Sequence, residues 1–462
     1  YGSTLKDVHD SNFVVSIGSF LKHDLPHARY AFNNSIILNK GSGLYFHPIA
    51  DRIMEKIGKK GKTTEFIYHQ PLKEEAVLYL LLDIFADENL PEDIKKYLES
   101  LKEKRVKTIV ETKKEQVIEK VLDEDSGEEK ELKKLVTKKE EKEVEYIYSK
   151  LLDEVGLDEN FYDLIDSMLV KKDKFSLIIG EDIITHPNYK TLAKLCAMIE
   201  KYTKFEIVII PTKTNTLGVS LICQLDEKQE GFTIGYNEKA DYQLSALGDG
   251  NLDMPALNQQ EGTFVNIDKR VVSTNAALPY NGYVLNDIAN ELLGIKQENT
   301  IDYTVKLPLS SGFKQVEFDS LTNYFSNDAN EHRGYELQNL DTKVNDIFER
   351  TEILDVQVHD DEFIIYKANP MNLFNEFVAK SHEFKQKAKT GIYVSQKLFD
   401  RLNLQVNEKV RVLTKNKTFD LDIFIDEQID GEIAYVSTFD KSYGTKELFD
   451  SYRFIRASLT KA

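Results

Sequence analysis

Cysteine is scarce. Only Cys196 and Cys223 occur among 462 residues, and no C-x-x-C spacing exists. An iron–sulfur cluster normally takes four thiolates, so the chain cannot complete one from its own cysteines. Two cysteines cannot organise a disulfide framework either, which fits a reducing compartment. Cys196 lies in the apolar helical run Leu192–Ile199 and reads as a small buried hydrophobe. Cys223, within Val219–Leu225, reads as part of a strand or a buried loop. No His is near either in sequence, which argues against a thiolate nucleophile. Long apolar runs are missing as well. None approaches the roughly 18 residues that span a bilayer, so no direct membrane span is expected. No signal peptide is expected. The chain begins at Tyr1 without an initiator Met, as expected of a piece of a longer protein.

Ligand-binding loops are also lacking. G-x-G-x-x-G does not occur. Gly58–Thr63 ends like a P-loop, but the required first Gly is Lys56 and no strand precedes it. Asp249–Asp253 begins like a calcium loop, but Met254 and Gln260 occupy the positions that need Gly and Glu. His23, His27, His47 and His186 have no metal-ligand spacing and read as helix-entry or surface residues. No Ser-His-Asp, Cys-His or metal-carboxylate set appears, so no catalytic, cofactor-binding or metal residue is assigned. The net charge of −18 repels phosphate backbones and argues against nucleic-acid binding.

What is present is a globular composition, 41% hydrophobic, long enough for two or three domains. Two βαβ units share one design. Phe13–Ile17 is an apolar strand ending at Gly18, Pro26 opens a helix to about Asn34, and Ile36–Leu38 is the expected next strand. Phe175–Ile179 ends at Gly180, Pro187 opens a helix reaching about Tyr202, and Phe205–Ile210 is a strand. Such units favour a parallel sheet. Their glycine turns read as structural.

More than half of residues 87–148 are charged, with nearly balanced signs. The segment cannot supply a core of its own. It reads as an insertion: a short helix near Glu92–Lys104, then two arms folding back about Asp123–Gly127 as a charged hairpin or a helix pair. It is either a solvated protrusion or a docking arm for a partner subunit. Further on, 298–309 and 338–366 contain strand-like runs, notably Glu362–Tyr366, and 369–387 reads as a helix. From Gly391 the order is strand, short helix Gln396–Leu402 capped by Ser395, hairpin Lys409–Thr414 with Thr418–Ile425, and strand Glu432–Ser437.

The stretch Glu261–Arg270 reads as a loop, a short strand and a tight turn. Its pattern, Glu261-Gly262-Thr263-x-x-Asn266-x-Asp268-x-Arg270, resembles the E-G-T-x-x-N-x-E-G-R signature of the molybdopterin oxidoreductase superfamily. Asp268 departs from the Glu of that signature, and Lys269 from its Gly. Asn275–Tyr283, NAALPYNGY, resembles the family's continuation. Ser11–Asn34 resembles its internal Rossmann-like domain, and the element order after Gly391 its C-terminal six-stranded barrel.

The superfamily includes formate dehydrogenases, nitrate reductases and the large iron–sulfur subunit of bacterial NADH–quinone oxidoreductase, respiratory complex I. Residues 39–48 resemble one bacterial type of that last branch more closely. The resemblance implies an α/β region over 1–300, of the molybdopterin oxidoreductase type, with a charged insertion at about 87–148. A connecting region over 301–390 and a β-barrel over 391–462 follow.

In function it implies a cofactor-free scaffold within an enzyme complex, a proton-pumping quinone oxidoreductase (translocase). Iron–sulfur clusters would lie in a preceding part. The partners would be other peripheral-arm subunits, at the cytoplasmic face of the bacterial inner membrane. Two alternatives stand beside it: a fragment of a molybdenum–pterin oxidoreductase such as a formate dehydrogenase, and a structural protein unrelated to electron transfer.

Overall fold

The computed structural model describes residues 3–461 apart from 123–128, 223–229, 275, 297–312, 317–333, 338–349, 357, 360, 369–388, 406–407, 416 and 440–443. Cys223, the turn at 123–127, the strand expected at 298–309 and the helix expected at 369–387 lie outside the described residues.

Five short apolar strands form one parallel sheet. They are β1 (Phe13–Ile17), β2 (Ser42–Phe46), β3 (Thr64–Ile67), β4 (Phe175–Ile179) and β5 (Phe205–Ile209), in the order β3-β2-β1-β4-β5. Every residue of β1, β2 and β4 is buried, because helices cover both faces. Alternation along each strand splits the core in two. Phe13, Val15, Ile17 and Leu44 pack toward helices Glu74–Phe85 and Tyr189–Tyr202. Val14, Tyr45 and Val208 pack toward helices Leu5–Asp10 and Pro26–Ile37. The two sequence repeats meet at the centre, with β1 and β4 paired in parallel.

The strand expected at Ile36–Leu38 is instead the end of helix Pro26–Ile37. The Leu38 N–H bonds the Asn34 carbonyl at 2.8 Å. Only Ile36 of the three faces the core, while Ile37 and Leu38 are exposed. The true second strand is β2, and Phe32 and Ile36 pack closely on its Gly43. Val219, expected in a strand or loop, sits in helix Thr216–Ile222.

The insertion is a two-stranded antiparallel ribbon, Lys102–Leu122 with Glu129–Ser149, in unbroken register. At about 3.3 Å per residue it is ~70 Å long. Its root is tied to the sheet region. Tyr148 is buried in the core, the Arg105 guanidinium lies 3.4 Å from the Tyr148 ring centre, and Lys102 pairs with Asp83 at 2.9 Å.

The C-terminal region is a closed six-stranded barrel. Its strands are β6 (Glu362–Lys367), β7 (Ile392–Val394), β8 (Lys409–Leu413), β9 (Thr418–Ile425), β10 (Ile433–Val436) and β11 (Phe454–Lys461), in the order β6-β10-β7-β9-β8-β11. Ser395 caps helix Gln396–Arg401, its Oγ accepting from the Leu398 N–H at 3.0 Å.

The expected boundary at 391 shifts upstream, because closing the barrel requires β6. That strand pairs with both β10 and β11. It belongs to the barrel although residues 369–390 separate it in sequence from the rest. Barrel and parallel sheet remain separate sheets. No helix among the described residues is long and apolar enough to cross a membrane.

Candidate functional site

In an open parallel sheet, ligands bind beyond the carboxyl ends of the strands, where the strand order reverses. Here that point lies between β1 and β4. Chain leaves the two strands through Gly18 and Gly180. Gly18 has φ +72°, a left-handed conformation that glycine adopts without strain. A Cβ on Gly180 would lie 2.0 Å from the Gly18 carbonyl oxygen. The two turns therefore pack backbone on backbone. Their glycines permit this mutual approach, which leaves no cradle for a phosphate between them.

Beyond the turns the crevice is filled by the barrel. Strand alternation explains how. Phe363 and Ile365 of β6 point into the barrel core, so Ile364 and Tyr366 point out of it, toward the sheet. Ile433 and Tyr435 of β10 and Phe454 of β11 do the same. They bury themselves against Phe20 and Ile49 from the sheet region.

Within this apolar seam lies an ionic core. The Arg453 guanidinium donates to both Asp24 oxygens, at 2.7 and 3.0 Å, and lies 3.3 Å from Asp182 Oδ1 and 3.6 Å from Glu181. It also donates to the Lys367 carbonyl and stacks 4.4 Å above the Tyr366 ring. The Tyr366 hydroxyl donates to Asp182 Oδ1 at 3.2 Å. Asp24 further accepts from Ser19 Oγ and the Phe20 N–H. Burial is the largest single influence on Asp24 and opposes its ionisation, but the charge and hydrogen bonds of Arg453, with smaller contributions from His47 and His23, together hold this carboxyl below its usual range.

Of the four histidines expected at the surface or at helix entries, His27 is exposed at the start of helix Pro26–Ile37 as expected, but His23, His47 and His186 are buried in the same seam. His69 is buried as well. His47 Nδ1 accepts from the Ile49 N–H at 3.0 Å, so the proton of the neutral ring sits on Nε2. That nitrogen lies 3.2 Å from Asp182 Oδ2, without the alignment of a hydrogen bond. The His23 ring meets the edge of Tyr435, and the His186 ring that of Tyr452. Burial lowers the pKa of His23 and His69 to about 3 and of His186 to about 4, so all three are neutral near pH 7. Among the described residues no group of three or more His, Cys, Asp or Glu is placed to hold a metal.

The stretch Glu261–Arg270 lies elsewhere. Gly262–Val265 and Val271–Thr274 form the expected hairpin. Asn266 closes its turn, with Oδ1 accepting from the Arg270 N–H. Lys269 takes φ +61°, the conformation for which the signature has Gly, and its ammonium donates to the Ser3 carbonyl at 2.7 Å. Asp268 accepts from the Leu5 N–H. The motif thus ties the start of the first helix to this hairpin. Cys196 is buried as expected, and burial pushes its thiol up to about 12.

The donors of the crevice do not suit a phosphate-bearing pterin. Asp24, Glu181 and Asp182 supply carboxylates, and the cations Arg453 and Lys367 face those acids. Among the described residues no phosphate-specific loop stands between the two glycine turns.

No protein-family model and no curated protein matches this sequence. Among solved structures, the chain is similar to acetylene hydratase from Pelobacter acetylenicus. The TM-score is 0.53 at 11% identity, over 99% of this chain and 81% of that one. At that identity the likeness carries the fold alone: a parallel-sheet α/β region followed by a closed barrel.

Proposed function

We propose that this chain is a scaffold built on the molybdopterin-oxidoreductase fold, with its ligand crevice closed by its own side chains. The observation that carries this is the Arg453–Asp24–Asp182–Tyr366 cluster, seated beyond the carboxyl ends of β1 and β4. Taken with the sequence resemblance, it favours the large iron–sulfur subunit of a proton-pumping quinone oxidoreductase. Electron transfer would run through clusters on a preceding part. This part would hold shape and neighbouring peripheral-arm subunits at the cytoplasmic face of a bacterial inner membrane. The ribbon Lys102–Ser149 would be a docking arm for such a neighbour, since a lone two-stranded ribbon is marginal in water.

A second reading has its own support. The similarity to acetylene hydratase runs over 99% of the chain and favours a molybdenum–pterin oxidoreductase, such as a formate dehydrogenase, of which this would be a part. The test is to tag the chain in its host and identify what copurifies. Iron–sulfur and quinone-reducing subunits are expected. A molybdenum enzyme with its own substrate turnover, and no such subunits, would overturn the scaffold reading in favour of the second.

A further inference from the structure

One buried carboxyl in the seam is built unlike the others. Glu74 opens helix Glu74–Phe85 and is fully buried. Its Oε1 accepts from the Tyr452 hydroxyl at 2.6 Å, and among the described residues its Oε2 has no hydrogen-bond partner. An ionised carboxylate offers about four acceptor sites. Asp24, in the same seam, fills its own with a guanidinium, a hydroxyl and an amide. Among the described residues no side-chain cation contacts Glu74.

The groups around it sharpen the contrast. From the segment after β4, His186 Nδ1 accepts from the Asn188 N–H, which places the ring proton on Nε2. That nitrogen points to the Leu72 carbonyl at 3.4 Å and stands 3.7 Å from Glu74 Oε2. Asp182, on the same segment, adds a negative charge nearby. On the helix itself, Lys73 reaches away to Glu154 and Asp355, and Glu75 is bound by Asn188 and Thr351. From the barrel, Arg453 is engaged by Asp24. Tyr452 is thus the one barrel side chain bonded to Glu74 among the described residues, and it also receives the Leu72 N–H at 2.9 Å. A cleft of about 460 Å³, lined by Pro71, Leu72, Ile364, Tyr452 and Phe454, brings solvent to the outer side of Tyr452.

We infer that Glu74 is a proton-operated latch. As the neutral acid it holds Tyr452, and with it the start of β11, against the sheet region; as the carboxylate it drives that edge of the barrel open. The step is a plain proton loss to solvent through the cleft. The carboxylate would still accept from Tyr452. What changes is the cost of a buried charge with Tyr452 as its side-chain donor and no cation, beside Asp182, and opening to water relieves that cost. Burial and Asp182 push the Glu74 carboxyl up to about 8, against smaller opposing contributions from Tyr452 and backbone amides.

The sign follows. Closed Glu74 holds its proton up to about pH 8, while an opened one releases it near 4.5. Opening therefore becomes easier as pH rises between those values, and levels off above about 8. The seam histidines act oppositely, but below about pH 6.5.

The test is hydrogen exchange on the full chain from pH 6.5 to 9, corrected for intrinsic exchange. Protection of Leu72 and of β11 is expected to fall about tenfold per pH unit up to about pH 8 and then level, while that of β1 holds. Glu74→Gln should abolish this slope. A flat wild-type profile, or the same slope in Glu74→Gln, would overturn the proposal. Should Glu74→Gln not fold, infrared spectroscopy of the wild type decides. A protonated-carboxyl band at pH 6.5, lost with a midpoint near 8, is expected; its absence at pH 6.5 would refute the latch.

Discussion

Arg453→Met should cost about 3–5 kcal/mol, the range for removing one partner of a buried ion pair. The side chain is 2% exposed and its partner Asp24 is 9% exposed. Met keeps the apolar stem and removes five donors. Asp24, Asp182 and Glu181 then share a buried site without their guanidinium, and the Lys367 carbonyl loses two donors. Asp24 retains Ser19 and the Phe20 amide, which sets the lower end of the range. Asp24→Asn should cost less, about 2 kcal/mol, because Arg453 still meets Asp182 and Glu181.

The pair should be coupled by about 2 kcal/mol, so the double variant costs less than the sum of the singles. Urea unfolding followed by circular dichroism measures all four. The pH dependence gives an independent check. Asp24 has a lowered native pKa, so its pair contributes above the carboxyl's ordinary value and is lost as pH falls through the native one. Without Arg453 that carboxyl protonates more readily. The deficit of Arg453→Met should therefore shrink in acid. A deficit under about 1 kcal/mol, or strict additivity, would refute the reasoning that this cluster closes the seam.

Gly180→Ala should destabilise by about 3 kcal/mol or more, the upper range for forced overpacking, because its Cβ meets the Gly18 carbonyl at 2.0 Å. Gly156→Ala, at φ +78° with open space around it, should cost only about 1–2 kcal/mol, from backbone strain; thermal melts compare the two. Replacing 107–144 by a short turn should leave melting within a few degrees, since the buried root at Tyr148 stays and loop closure costs about 0.6 kcal/mol per doubling of length; loss of partner binding in that variant would mark the ribbon as the docking arm. Cys196 should resist thiol reagents at pH 8 until the chain unfolds, as its thiol is buried and titrates near 12.

The sequence disclosed what local pattern governs. Phe13–Ile17 and Phe175–Ile179 are continuous apolar runs closed by glycine, and both are central strands. The barrel's hairpin and its capped helix were legible from period-2 alternation and from Ser395. Ile36–Leu38 misled because a helix end can carry an apolar triplet with only one member buried.

The seam was not legible. Asp24 and Arg453 are 429 positions apart, and no spacing rule links them. His23, His47 and His186, which have no metal-ligand spacing, are buried against Tyr435, Phe454 and Tyr452 far along the chain. One signal was available. In Glu362–Lys367, residues Phe363 through Tyr366 are apolar or aromatic on both faces of the strand, which marks a barrel strand covered on its outside as well. Taken with the glycine-ended strands β1 and β4, it indicates that something seals the sheet's carboxyl edge.

The most direct measurement is the cofactor content of the purified full chain, expressed with iron and molybdate supplied. A crevice closed by Arg453, Asp24, Asp182 and Tyr366 predicts neither metal nor pterin retained through purification, and no visible absorption band. Stoichiometric molybdenum with pterin, lost on substituting Asp182 or Arg453 in a variant that still folds, would contradict the scaffold account.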